Sequence, residues 1–241
     1  GTNGKTTTSY LMRAAIASRF PKASLCGTVE THVGPISFEA VRTTAEAPVI
    51  ARILAATEEY ECGAGIIELS AHALSLHRVD GIVFDVAAFT NLQHDHLDYY
   101  GDMENYFQAK ALLFTPEHSR RGVVCVDDEW GRRLAQQATV PVTTVSALTE
   151  EAADWQVRDV TPDQTIGRTV FTLVDPSGTG HRVAMPILGE VNIQNTAVAI
   201  VSAVSLGIDL ADVISAIEDA PQIPGRMEKV NPTPGGQPLV I

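Results

Sequence analysis

The chain opens with Gly1-Thr2-Asn3-Gly4-Lys5-Thr6-Thr7-Thr8, and this stretch decides the fold class. Its Gly-x-x-Gly-Lys-Thr pattern is typical of a phosphate-binding loop (P-loop), in which glycines let backbone N–H groups approach an anion. The residues from Thr6 to Ile16 contain neither Pro nor Gly, which predicts a helix whose N-terminal amides face that anion. In such a loop Lys5 reaches the outer phosphates and Thr6 can ligate Mg²⁺. The alternative interpretation is a glycine-rich helix cap that binds nothing.

Strands and helices alternate along the chain after this loop. The predicted strands are 24–29, 65–69, 82–90 and 122–126, with a hairpin that ends near residue 40. The predicted helices are 46–59, 103–114, 191–206 and 210–219. Continuous apolar strands are typical of sheets that are buried on both faces. We therefore predict an α/β fold with a doubly wound, mostly parallel sheet.

Residues 155–185 have a different pattern, because apolar and polar residues alternate there between Pro-Asp, Pro-Ser-Gly and Thr-Gly turns. This pattern predicts a small antiparallel β insert within the domain. A P-loop normally follows a strand, and residues 237–241 resemble a strand that is cut short. We therefore expect the chain, 1–241, to be one domain of a longer protein.

The composition excludes several classes of protein. Of the 241 residues, 45% are hydrophobic and 19% are charged, which is typical of a globular domain and not of a disordered or fibrous chain. The net charge of -12 offers no basic surface for nucleic acid or anionic lipid. The sequence has no apolar run long enough to span a membrane, and its three separated cysteines indicate no disulfide framework. We expect a cytoplasmic protein.

Acidic and imidazole side chains follow two of the predicted strands. Glu68 ends one strand, and His94, Asp95, His96 and Asp98 follow the next one. The carboxyl ends of parallel strands are where such folds bind ligands, so these residues are candidates for a Mg²⁺ or Mn²⁺ site or for acid–base chemistry. The alternatives are a solvated carboxylate at position 68 and simple loop capping by His94 and Asp98.

Lys110 lies in an unusual position on its predicted helix. Its neighbours three and four residues away are Tyr106, Phe107, Leu113 and Phe114. Desolvation lowers the pKa of a lysine, and a neutral amine can act as a nucleophile or form a carbamate with carbon dioxide. The alternative is that the side chain extends past its apolar neighbours to solvent.

Amide side chains open a later helix, at Asn192 and Asn195, and Arg226 follows Pro224-Gly225. Amides can recognise an adenine edge and arginine can bind phosphate. The alternative for the asparagines is helix capping.

Together these residues resemble a known family, the central ATP-binding domain of the Mur ligases, and most closely its UDP-N-acetylmuramoyl-tripeptide synthetases. The resemblance covers nearly the whole chain. Its most specific stretch is Phe89 to Met103, FTNLQHDHLDYYGDM, which leads into Gln108-Ala109-Lys110. The other matching stretches are GTNGKTTT at 1–8, RTTAEAP at 42–48, ELSAHAL at 68–74, HRVDG at 77–81 and GRME at 225–228.

The resemblance implies ATP-dependent amide ligation in peptidoglycan biosynthesis. A substrate carboxylate attacks the γ-phosphate of ATP, and an amino group then displaces phosphate from the acyl phosphate. The implied reaction adds a third amino acid, a diamino acid, to UDP-N-acetylmuramoyl-L-alanyl-D-glutamate, with ATP and Mg²⁺ at two sites. The implied partners are these small molecules, without nucleic acid or membrane, and the expected state is a monomer. The uridine-binding and amino-acid-binding domains of the family would lie outside this chain.

Position by position, the resemblance implies roles for individual residues. The implied catalytic residues are Lys5, His96 and Lys110. The implied ATP contacts are Gly1, Thr2, Asn3, Gly4, Lys5, Thr6, Thr7, Asn192, Asn195 and Arg226. The implied contacts to the UDP-muramoyl dipeptide are Thr43, Thr44, Ser70 and Arg78. The implied metal ligands are Thr6, Glu68, His96 and Lys110, the last as a carbamate.

The chain departs from the family pattern at three places. Ala71 stands where the family usually has Ser, Leu76 stands where Gln is frequent, and Glu190-Val191 stands where an aromatic often precedes Asn192. The alternatives are a related ligase, of the folylpolyglutamate or cyanophycin synthetase type, and an ATP-binding subunit without ligase chemistry. The candidates for the added amino acid are meso-diaminopimelate, L-lysine or another amino acid.

Overall fold

A computed structural model describes residues 1–163 and 168–226 of the chain. The strand predicted at 237–241 and the Met227-Glu228 part of the last family match lie outside the described residues. The helices are α1 (Lys5–Ala15), α2 (Ala47–Glu59), α3 (Ala71–Ser75), α4 (Leu97–Tyr100), α5 (Met103–Ala111), α6 (Glu129–Gln137), α7 (Glu190–Ser205) and α8 (Leu210–Glu218). A short 3-10 turn, Leu112–Phe114, extends α5 to the predicted end of that helix.

The smaller of two sheets contains the predicted hairpin. Its strands are β1 (Ser24–Cys26), β2 (Glu30–Val33), β3 (Ile36–Glu39) and β4 (Gly65–Ile67). Their order is β3-β2-β1-β4, in which β1 pairs antiparallel with β2 and parallel with β4. The register that places Leu25 opposite Ile66 brings the ends of β1 and β4 to the same edge.

The larger sheet contains the remaining strands. They are β5 (Ala87–Phe89), β6 (Gly122–Cys125), β7 (Val142–Ser146), β8 (Trp155–Asp163), β9 (Arg168–Val174) and β10 (Gly180–Met185). Strands β5 to β8 pair in parallel, and β8 to β10 pair antiparallel. The antiparallel strands predicted for 155–185 therefore continue this sheet at its edge.

The α/β class is confirmed, but the parallel strands belong to two sheets and not to one. A groove of about 1290 Å³ runs between the two sheets, with Ile66 and Ile67 of β4 on one side and Ala87 and Phe89 of β5 on the other. The sequence pattern could not reveal this division, because apolar runs show that a strand is buried without showing which strand it pairs with.

Helix α7 is the centre of the main core. All of its residues from Asn192 to Ala203 are buried, and it packs against α1, α8 and the larger sheet. The hydroxyls of Thr196 and Ser202 donate to carbonyls one turn earlier, so the helix is buried all round without unpaired hydroxyls. The packing of α7 on α1 places the first turn of α7 beside the P-loop.

Several elements are shorter than predicted or were not predicted. The strand predicted at 82–90 is regular only from Ala87 to Phe89, because the exposed Asp85 pairs with Arg120 and only Phe84 forms an isolated bridge, to Ser119. The strand predicted at 24–29 ends at Cys26. The sequence analysis did not identify α3, α4, α6 or β7. None of the helices among the described residues is both long and apolar enough to cross a membrane.

Candidate active site

The P-loop requires glycine at position 4 for two reasons. Gly4 has φ +84° and is the N-cap of α1, a left-handed conformation that strains other residues. A Cβ atom at this position would also collide with the side-chain amide of Asn195. The loop and the start of α7 are therefore in direct contact, and α1 points its free N-terminal amides into the space beside them.

The segment after β5 fixes the other side of the loop. The N–H of Thr2 donates to the carbonyl of Asn91 at 2.8 Å, and the N–H of Asn3 donates to Oδ1 of Asn91 at 2.9 Å. The hydroxyl of Thr90 donates to the carbonyl of Asn3 at 2.7 Å. The first residues of the 89–103 stretch thus hold the P-loop backbone in place.

Lys5 curls back over its own loop. Its Nζ donates to the carbonyl oxygens of Thr2 at 2.8 Å and Gly1 at 3.2 Å. Burial lowers the pKa of Lys5 below its usual value, while the carboxylates of Glu68 and Asp95 oppose this shift. The ammonium is therefore held over the loop where an anion would bind.

Glu68 follows β4 and is buried, with 3% of its surface exposed. Its carboxylate accepts hydrogen bonds from the hydroxyls of Thr6 at 3.1 Å, Ser9 at 3.0 Å and Thr28 at 2.8 Å. Gly27 lies so close to this carboxylate that a Cβ atom would collide with it. The interpretation of Glu68 as a solvated strand end is therefore wrong.

The donor set at Glu68 fits Mg²⁺. A carboxylate and a hydroxyl, from Glu68 and Thr6, lie side by side at the mouth of the P-loop, and Mg²⁺ is usually bound by one or two such oxygens together with substrate phosphates. Within the described residues, no group of three or more His, Cys, Asp or Glu could hold a metal ion. A metal at Glu68 would thus depend on phosphate oxygens for the rest of its ligands.

Lys110 lies on α5 and its side chain does not reach solvent. The residue is 6% exposed, and its Nζ donates to the carbonyl of Gly1 at 3.2 Å and lies 4.5 Å from the ring centre of Tyr106. Burial, and then the charge of Lys5, lower the pKa of Lys110 to about 7. Lys110 is therefore directed into the site, at the same carbonyl as Lys5.

His96 approaches this site from α4. It has φ +53° at the start of that helix, and its Nε2 lies 3.5 Å from Oδ2 of Asp95. Its ring lies 5.9 Å from Tyr106 and 4.9 Å from His72, whose pKa is lowered by burial and by the charge of His96. His96 and Lys110 thus border the same Tyr106 ring. The N–H of His96 donates to Oδ1 of Asp95 at 2.9 Å, and no side chain caps α4, so the predicted capping by His94 and Asp98 is not what closes this turn.

The residues predicted to contact the substrate lie together beyond Glu68. The hydroxyl of Thr44 donates to the carbonyl of Glu68 at 2.7 Å and accepts from the N–H of Ser70. Ser70 caps α3, while the hydroxyl of Thr28 links Thr43 to the Glu68 carboxylate. Arg78 donates to the carbonyl of Thr44 at 3.0 Å, and its Nε is buried without a partner among the described residues.

The two asparagines of α7 do not cap the helix, because its N-cap is Gly189. Asn192 donates to the carbonyl of Leu188 at 2.7 Å, and its Oδ1 accepts from Asn195 at 3.1 Å. Asn195 also accepts from the hydroxyl of Thr8 at 3.4 Å. Arg226 is exposed, and its charge contributes to the lowered pKa of Lys5.

Comparison with known proteins identifies the family of this site. The family model described as "Mur ligase middle domain" matches residues 1–203. The chain belongs to this family. A UDP-N-acetylmuramyl-tripeptide synthetase of Leifsonia xyli subsp. xyli is 46% identical over 236 residues, which cover 96% of this chain and 45% of that protein. A UDP-N-acetylmuramoyl-L-alanyl-D-glutamate--2,6-diaminopimelate ligase of Streptomyces coelicolor is 43% identical over 241 residues, 99% of this chain and 46% of that protein.

Solved structures agree with this membership. A structure of a UDP-N-acetylmuramoyl-L-alanyl-D-glutamate--2,6-diaminopimelate ligase has a TM-score of 0.81 and 29% identity, and the match covers 97% of this chain and 47% of that one. A MurF of Acinetobacter baumannii, 18% identical with a TM-score of 0.70, shares the fold. The Mur ligase domain described here spans about half the length of the curated relatives that it matches.

Sequence reasoning missed three contributors to the site of this Mur ligase domain. Thr28 binds Glu68, Tyr106 contacts Lys110 and the hydroxyl of Thr2, and Gln194 joins the α7 end of the site to Asn91. Tyr106 could have been found from its position one turn before Lys110. Thr28 carried no signal, because its contact depends on the turn between β1 and β2.

Proposed function

We propose that the protein containing this domain adds the third amino acid to UDP-N-acetylmuramoyl-L-alanyl-D-glutamate, consuming ATP and releasing ADP and phosphate. Members of the Mur ligase family are ATP-dependent ligases, and the two relatives described above are named for this step. The observation that carries the proposal is the convergence of Lys5, Glu68 and Lys110 on one P-loop. A site that only stored nucleotide would not need a second buried lysine at the loop.

The chain's own residues account for ATP binding. The N-terminal amides of α1 and the ammonium of Lys5 hold the phosphates, because both are directed at the mouth of the loop. Asn192, Asn195 and Arg226 are the candidate nucleotide contacts, and Asn195 already touches the loop at Gly4. Thr6 and Glu68 would hold Mg²⁺, which neutralises charge on the transferred phosphoryl group.

Lys110 is the proposed source of an additional metal ligand. With a pKa of about 7, much of this amine is neutral near neutral pH. A neutral amine adds to carbon dioxide and loses one proton, which leaves an anionic carbamate that can ligate a metal. His96, on the other side of Tyr106, is the proposed partner ligand in a second Mg²⁺ site. The apolar surroundings of Lys110 are then required to keep the amine neutral.

The muramoyl dipeptide would bind on the Thr43 and Arg78 side of Glu68. Arg78 already pairs with Glu46, with Nη2 3.1 Å from Oε1, but its buried Nε has no partner among the described residues and could donate to a substrate carboxylate. Thr44 and Ser70 use their hydroxyls within the protein, so they would shape this surface more than bind the substrate. We also propose that the uridine-binding and amino-acid-binding parts belong to other segments of a monomeric cytoplasmic protein, and that this domain alone binds nucleotide weakly and does not turn over.

The test is ADP release by the full-length parent with Mg-ATP, the muramoyl dipeptide and a panel of amino acids. The panel starts with meso-diaminopimelate, because the Streptomyces coelicolor relative is named for it, and includes lysine. ADP release that requires both the dipeptide and one amino acid would support the proposal. ATP binding without turnover on any pair would favour a related ligase, of the folylpolyglutamate or cyanophycin synthetase type, or a binding subunit.

A further inference from the structure

A chain of side-chain hydrogen bonds leads from the end of β6 to the P-loop. Nε2 of Gln194 donates to Oδ2 of Asp127 at 3.0 Å. Oε1 of Gln194 accepts from Nδ2 of Asn91 at 3.1 Å, and Oδ1 of Asn91 accepts from the N–H of Asn3 at 2.9 Å. We call this chain, Asp127–Gln194–Asn91–Asn3, the amide relay. Gln194, the second residue of the relay, is buried on α7.

The direction of the relay is fixed at its Asp127 end. An ionised carboxylate only accepts hydrogen bonds, so it selects the NH₂ group of Gln194 and turns the carbonyl of that side chain toward Asn91. The same selection then turns the NH₂ group of Asn91 toward Gln194 and its carbonyl toward the P-loop. The orientation of the Gln194 amide is therefore set by a charge outside the loop, and the matching orientation of Asn91 also satisfies the N–H and the carbonyl of Asn3.

Asp127 is itself held firmly. Its Oδ1 accepts from the N–H of Ala147 at 3.0 Å and its Oδ2 accepts from the N–H of Leu148 at 3.1 Å, which ties it to the turn after β7. The carboxylate also accepts from the hydroxyls of Ser146 and Thr149. A charge with this many donors stays in one position, so the relay starts from a rigid point.

The Asn3 end of the relay determines the backbone conformation of the P-loop at Gly4. The N–H of Asn3 is directed to Asn91, and the Asn3 carbonyl accepts from Thr90 and from Nδ2 of Asn91, so the peptide before Gly4 has one fixed orientation. The left-handed turn at Gly4 follows directly. A rotated Asn3 peptide would redirect the amides that open α1.

We propose that Gln194 is a positioning residue for ATP, which transmits the fixed orientation of Asp127 through Asn91 to the P-loop. This inference rests on the proposed function, since it assumes that the loop binds ATP. Gln194 acts on the P-loop through Asn91 and not on the nucleotide directly. It links the P-loop to the same turn of α7 that carries Asn192 and Asn195, the candidate nucleotide contacts.

The first test measures Mg-ATP affinity of the full-length protein by calorimetry. Gln194→Leu keeps the side chain's bulk but removes one hydrogen bond from Asp127 and one from Asn91, so we expect an affinity loss of about tenfold. Gln136→Leu, at an exposed position on α6, is the matched control and should keep wild-type affinity. Wild-type affinity in Gln194→Leu would overturn the inference.

Gln194→Glu distinguishes a positioning role from a merely structural one, because the variant can form the hydrogen bond to Asp127 again when its carboxyl is protonated. The new carboxyl faces Asp127 and the thiol of Cys125, which are the titratable groups within hydrogen-bond distance of Gln194 among the described residues. Burial raises the pKa of Cys125, so the thiol stays neutral. Burial and the charge of Asp127 likewise raise the pKa of the new carboxyl. Once protonated, this carboxyl donates to Asp127 again and restores the relay.

The expected result is a ratio of Gln194→Glu to wild-type affinity that rises toward one as the pH falls from about 8 to about 5.5. The ratio of Gln194→Leu to wild-type affinity should stay constant over the same pH range. A constant ratio for Gln194→Glu would overturn the inference even if the variant is less stable, because the readout is the change of this ratio with pH and not its value at one pH. Absence of ATP binding by the wild type would instead overturn the proposed function, and this inference with it.

Discussion

At the scale of single residues, the candidate site contains two buried ionisable side chains. Lys110 and Glu68 are each less than a tenth exposed, and each is held by specific polar partners. Burial of an ionisable group costs free energy unless it is paired. Substitution of either residue is therefore compared with substitution of an exposed residue of the same type.

Lys110→Ala should abolish ligation by the full-length enzyme if the lysine serves as a carbamate. The measurement is ADP release with saturating substrates, followed by addition of small carboxylates such as acetate. Partial recovery by a carboxylate is expected, because it can occupy the space and the charge of the missing carbamate. Lys22→Ala, at an exposed lysine, is the control. Unchanged activity in Lys110→Ala would contradict the role.

Glu68→Gln should raise the Mg²⁺ concentration needed for half-maximal activity by at least about tenfold. The neutral amide keeps the size of the side chain, but it has lost the charge that attracts the cation, and it accepts fewer of the bonds from Thr6, Ser9 and Thr28. Glu58→Gln on the exposed face of α2 should leave the Mg²⁺ dependence as it is. If Glu68→Gln and Glu58→Gln need the same Mg²⁺ concentration for half-maximal activity, Glu68 is not a metal ligand.

At the scale of elements, helix termini connect the packing of the fold to the site. Asp128 is the N-cap of α6 and accepts from the N–H of Gly131 at 2.6 Å. Its other oxygen accepts from the N–H of Leu92 at 2.9 Å, in the segment that holds the P-loop. One carboxylate thus starts a helix and anchors the loop after β5.

Asp128→Ala should destabilise the domain by about 1 kcal/mol or more and also weaken ATP binding. Asp209→Ala removes the cap of α8, which accepts from the N–H of Ala211, and should cost a similar amount of stability without affecting ATP. The measurements are thermal unfolding and Mg-ATP affinity on the full-length protein. If both variants bind ATP equally well, Leu92 does not depend on Asp128 for its position.

At the scale of the whole molecule, the buried lysine makes stability depend on pH. Burial lowers the pKa of Lys110 to about 7 in the folded state, whereas it is near its usual value in the unfolded chain. Between these values the unfolded state binds the extra proton, so the free energy of unfolding rises with pH from about 7 to about 10. Below about pH 7 the lysine is charged in both states and gives no further pH dependence.

Lys110→Met should remove that part of the pH dependence and stabilise the domain most strongly at and below pH 7. The measurement is urea unfolding of wild type and variant at several pH values in the absence of carbon dioxide, which would otherwise trap the neutral amine. Parallel stability curves for the two proteins across this range would show that Lys110 is not desolvated in the folded state.

The sequence by itself determined the α/β class, the P-loop, the antiparallel strands of 155–185 and the candidate roles of Lys5, Glu68 and Lys110. These features depend on local patterns, since the periodicity and spacing of residue types decide helix, strand and loop chemistry. The family resemblance added roles that spacing alone left open, for Asn192 and Arg226 among others.

Only the tertiary structure decided which strands pair, and hence the division into two sheets. It also decided that Glu68 is surrounded by three hydroxyls, that Lys110 meets the P-loop carbonyl, and that Gln194 joins Asp127 to Asn91. These contacts join residues that are far apart in the sequence. Thr6 and Glu68 are 62 positions apart, and Gly1 and Lys110 are 109 positions apart. Contacts at such separation depend on how the elements pack, and no local pattern in the chain encodes them.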